Sequence, residues 1–154
     1  MNALTRSSAW FNRVVLAGAA ILFSLIGIRY VVDPIGAVAP HQITLGSNEA
    51  ITIMRVSGGV FLGIAGFLLA CIAAERRLLA GVAVLAVVSI AVTAVRLFGL
   101  AVDGPAPFTL RVLKPEIALV VLSALGFFFE LRRLREDPRS GLARAAVGSP
   151  SGSR

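Results

Sequence analysis

Residues 78–100 read LLAGVAVLAVVSIAVTAVRLFGL, twenty-three residues with a single charge, Arg96. A run this long and apolar matches the roughly 20 residues that cross a hydrocarbon core of about 30 Å. No proline interrupts it. A lipid-embedded segment must satisfy its own backbone N–H and C=O groups, so the run reads as a transmembrane α-helix. The rest of the chain divides around it. Residues 10–32, 51–74 and 110–131 form three more apolar segments of comparable length. The last is the most compromised. Arg111, Lys114, Pro115 and Glu116 crowd its start, and its charge-free core is 117–129.

Composition agrees. Of 154 residues, 57% are hydrophobic and only 15% charged, against about 45–50% apolar in soluble domains. The mean hydropathy is +0.88. A net charge of +7 would point to nucleic acid in a soluble chain. Here the basic residues stand at segment ends and near the C-terminus, where they report topology instead, and no nucleic-acid partner is expected. Cys71 is the sole cysteine, so no intrachain disulfide forms, and it reads as a small packing residue. Arg6 and Arg13 followed by Ala37-Val38-Ala39 mimic a cleaved signal peptide. Pro40 after the cut, with Arg29, Tyr30 and Asp33 before it, favours retention as a helix.

Four spans place Arg6 and Arg13, the Glu75-Arg76-Arg77 turn and the C-terminal arginines on one side. That side carries ten basic residues, the other five. By the positive-inside rule both termini are cytoplasmic. The expected fold is all-α: a four-helix transmembrane domain over 1–136, then a disordered basic cytoplasmic tail over 137–154. The tail is suited to anionic lipid headgroups.

This topology collects charges into a layer near the outer face. Arg29 and Arg96 end outward helices, and Arg55 opens an inward one. Asp33, Glu49, Asp103 and Glu116 fall at the same level. Charges at membrane depth are costly and mark sites of pairing or function. Arg55, Gly59, Gly63 and Gly66 share one helix face, with Gly59 and Gly63 forming a GxxxG pair, so Arg55 is expected to point into the bundle. The same face could hold a second copy or a membrane partner. Ala86, Ser89, Thr93 and Arg96 align on the third span, and Glu116, Ser123 and Glu130 on the fourth. Arg29 and Arg96 lie 67 residues apart, as do Glu49 and Glu116, hinting at a duplicated helix hairpin.

Other chemistry is missing from the sequence. It has no P-loop, dinucleotide fingerprint or HExxH, and no GxSxG. His41 is alone, too few for a metal site. No cofactor is expected. Asp33-Pro34 and Asp103-Gly104-Pro105 read first as turns. Glu116 after Pro115 suits a helix N-terminus.

Asn48-Glu49, Arg55 and Gly58-Gly59 open the second span. Arg96 precedes Asp103-Gly104-Pro105, and Glu116 opens the last span. Together these stretches resemble the small bacterial integral membrane proteins grouped as domain of unknown function 4345. The resemblance runs from about Gly27 to Leu131. It implies a four-helix protein of the bacterial inner membrane and brings no activity with it. The first expectation is a non-enzymatic protein whose Arg–carboxylate network fixes helix packing. A second is a carrier or binding protein for an anionic small molecule or lipid headgroup, since guanidinium groups suit carboxylate and phosphate. A third is a lipid-modifying or isomerising enzyme using Glu116 or Asp103.

Overall fold

The computed structural model describes residues 3–105 and 107–136. Five helices form: α1 (Ala3–Val32), α2 (Pro34–Val38), α3 (Asn48–Ile72), α4 (Leu78–Asp103) and α5 (Pro107–Glu136). Four of them are long and apolar enough to cross a membrane, and the chain is a multi-pass membrane protein. The 26 residues of α4 rise about 39 Å at about 1.5 Å each.

Local chemistry sets the helix ends. Asp33 ends α1 and caps α2, its Oδ1 accepting from Gly36 N at 2.9 Å, with Pro34 at the first helical position. Ser47 Oγ accepts from Ala50 N at 3.2 Å and caps α3. Glu75–Arg77 form one 3₁₀ turn between α3 and α4. Gly104 follows α4 with φ +86°, a conformation open to glycine.

The fourth long helix begins earlier than the sequence implies. It starts at Pro107, so Pro115 and Glu116 lie inside α5 rather than at its start. Pro115 lacks an N–H, which deprives the Arg111 carbonyl of its helical donor. Membrane helices tolerate such breaks where neighbours or water satisfy the freed group. Pro107, and not Pro115, takes the helix-opening position.

α1 packs along its length on α3, and α4 on α5, so each hairpin is the tightest pair. α1 also touches α4 and α5. Leu16, Leu68, Leu78, Val82 and Leu85 are fully buried at the centre. Cys71 joins this core as a packing residue. Lipid tails are as apolar as these side chains, so their burial gives little hydrophobic drive, and close packing must hold the helices together. α1 and α3 approach each other closely at Gly27 and Gly58. A Cβ on either would come within 2.8 Å of the other's carbonyl oxygen. Only about 11% of the most apolar α5 window is buried, leaving the rest to lipid.

Candidate functional site

At the end opposite the N-terminus the four long helices do not close. They leave a cavity of about 430 Å³. α1 contributes Phe23, Ile26, Arg29 and Tyr30 to it, α4 contributes Ser89 and Arg96, and α5 contributes Val112, Glu116 and Leu119. Phe61 of α3 forms a further wall, while Ala37 and His41 close it from the α1–α3 connection. The volume lies within the range of small-molecule sites, and the walls have their usual character, mostly apolar with a few polar groups.

The polar groups are ordered. Arg96 Nε donates to Glu116 Oε2 at 2.6 Å, joining α4 to α5. Both side chains are partly buried, at 24% and 17% exposure, where a charge-assisted bond is stronger than at a free surface. The Phe108 ring lies 6.0 Å from the Arg96 guanidinium carbon. On Phe108 stacks the His41 imidazole, with ring centroids 3.8 Å apart. Ser89 Oγ donates to the Leu85 carbonyl at 2.7 Å. Arg29 lines the cavity and has no ion-pair partner among the described residues.

A second polar cluster lies at the other end. Glu130 of α5 is 1% exposed, and Asn12 of α1 is fully buried. Asn12 Nδ2 donates to Glu130 Oε2 at 3.0 Å. Arg133 pairs with Glu130 at 3.4 Å and reaches Glu75 at 3.9 Å. Arg13 meets the other Glu75 oxygen at 3.4 Å. This clamp ties α1, α5 and the α3–α4 turn. Gly126 gives it room, since a Cβ there would lie 2.6 Å from Asn12 Oδ1.

The profile of the family described as Domain of unknown function (DUF4345) matches residues 11–127. The chain belongs to this family. The match contains every residue of the cavity and stops short of Glu130 and Arg133. No curated protein and no solved structure matches the chain.

The anticipated DUF4345 charge layer is brought together only in part. Arg29, Arg96 and Glu116 share the cavity. Glu49 and Asp103 are exposed at helix ends, and Asp33 serves as the α2 cap. Arg55 does not point into the bundle. It is exposed, as are Gly59, Gly63 and Gly66, and a Cβ on any of these glycines would meet nothing within 4 Å. α3 instead turns Gly58, Ala65 and Leu68 inward, because Gly58 is where α1 approaches closely. On α4 the expected face holds: Ser89 and Thr93 are buried and Arg96 partly so. Tyr30 of α1, Phe108 of α5 and His41 of the α1–α3 connection line the same cavity as Arg96, a grouping across separate elements that no single helical period describes.

Proposed function

We propose that this is a non-enzymatic protein of a bacterial inner membrane, with both termini cytoplasmic, that binds an anionic small molecule or lipid headgroup in the cavity. The observation that carries this is the coincidence of the 430 Å³ cavity with Arg29, Arg96 and Glu116. A purely structural charge layer would be expected to pack itself closed. The Arg96–Glu116 pair supports a second role in the same place, holding α4 against α5.

Binding is favoured over catalysis by what the polar groups already do. Glu116 is engaged by Arg96, and Ser89 is engaged by its own helix. Neither is poised as a free base or nucleophile. Asp103 does not line the cavity.

The test is a cavity-filling substitution. Val88 is partly buried and lines the cavity. In purified full-length protein in lipid nanodiscs, dodecanoate should raise the thermal unfolding midpoint of the wild type. Val88→Phe should remove that shift. Equal shifts in both proteins would rule the cavity out as the binding site.

A further inference from the structure

The arrangement around Arg96 narrows the ligand, given that the cavity is a binding site as proposed above. A guanidinium has five N–H donors. Glu116 meets only Nε of Arg96. Among the described residues no acceptor meets Nη1 or Nη2. Neither nitrogen is buried without a partner either, so both remain accessible. Glu116 therefore anchors one edge of the guanidinium and leaves the terminal pair for a planar anionic group. Two parallel N–H···O bonds from such a pair fit a carboxylate or a phosphate.

The charge balance points the same way. Arg96 and Glu116 cancel, which leaves Arg29 as the uncompensated charge on the cavity wall. A single negative charge would neutralise the site, and a neutral or cationic head would not. Size and wall chemistry describe the remainder of the molecule. At about 30 Å³ per water-sized group, the cavity has space for roughly 14 such groups. The lining away from the charges includes Phe23, Ile26, Phe61 and Leu119. One apolar chain fits that space.

We infer that the cavity takes a single-chain amphiphile with an anionic head, the head held by the Nη pair of Arg96 together with Arg29. Glu116 acts as a positioning residue through Arg96. The same chemistry can be supplied by a free fatty-acid-type carboxylate or by a phosphate-headed single-chain lipid.

The experiment measures binding of four probes to the full-length protein in nanodiscs of dioleoylphosphatidylcholine, with empty nanodiscs as baseline. The probes are dodecanoate, dodecyl phosphate, dodecanol and dodecyltrimethylammonium. At least one anion should bind about tenfold or more tightly than dodecanol, in line with a charge-assisted bond, and the better anion identifies the source. Arg96→Lys keeps a cation beside Glu116 but loses the Nη pair, and Arg29→Gln removes a charge that has no ion-pair partner among the described residues. Each should weaken the anion several-fold and leave dodecanol unchanged. Dodecanol or the cation binding as tightly as the better anion, or affinity for that anion unchanged in both variants, would overturn the anionic head while the cavity site stood. Binding of none of the four would remove the cavity site itself, and the inference with it.

Discussion

Glu130 places a carboxylate in the packed end of the bundle at 1% exposure. Such a group is stable there only with partners, and it has two, Asn12 and Arg133. Glu130→Leu strands Asn12, while Arg133 keeps Glu75 at 3.9 Å. Interhelical hydrogen bonds in membranes average about 0.6 kcal/mol, whereas orphaning a buried polar group costs about 1–3 kcal/mol. The second effect dominates because Asn12 is fully buried. Glu130→Leu is therefore expected to destabilise the fold by about 1–3 kcal/mol, and Glu130→Gln by less, since an amide oxygen still accepts from Asn12. Unfolding in mixed dodecyl sulfate micelles measures both. Part of this cluster is legible in the sequence, where Glu116, Ser123 and Glu130 fall along one face of α5. Asn12 is not, because its partner lies 118 residues away and no local pattern announces it.

Among helices, contact distance decides which glycines matter. Gly58→Ala would push its new methyl group to 2.8 Å from the Gly27 carbonyl oxygen and 2.9 Å from the Tyr30 and Val31 side chains. The α1–α3 pair must then separate, at a cost of about 1–3 kcal/mol for overpacking. Gly59→Ala meets open space and should be neutral or stabilise by up to about 1 kcal/mol through helix propensity. Parallel unfolding measurements on the two variants distinguish them, and equal losses would contradict the α1–α3 contact. The adjacent pair shows the limit of periodicity. Spacing identifies a GxxxG face correctly as a face, but its direction depends on where a second helix lies. Gly58 differs from Gly59 by one helical step, about 100°, enough to exchange the packed side for the outward one. The start of α5 escaped for a similar reason: Pro115 and Pro107 both suit a helix start, and only the chain's path after Gly104 separates them.

At the scale of the whole molecule, the charges sort to the two ends of one bundle. Arg13, Glu75 and Arg133 meet at one end, and Arg29, Arg96 and Glu116 at the other. The four spans and this sorting were legible because the apolar runs are long and topology forces alternate ends together. The cavity was not, since a void is set by how side chains from every helix fail to meet. The basic excess at the terminal end gives an expected orientation. An epitope placed after Arg154 should react in inside-out membranes and stay silent in intact spheroplasts; the reverse pattern would invert the topology. The central claim is that the arginine layer borders open space rather than closing on itself, and thiol accessibility tests it most directly. In a Cys71→Ala background, Ser89→Cys places a thiol on the cavity wall and Ala20→Cys places one in the packed core, where Ala20 is 1% exposed. A small permeant methanethiosulfonate needs water to generate the reactive thiolate. The expected result is rapid modification of Ser89→Cys, slowed by dodecanoate, with Ala20→Cys unmodified. Equal inertness of the two thiols would contradict an open cavity.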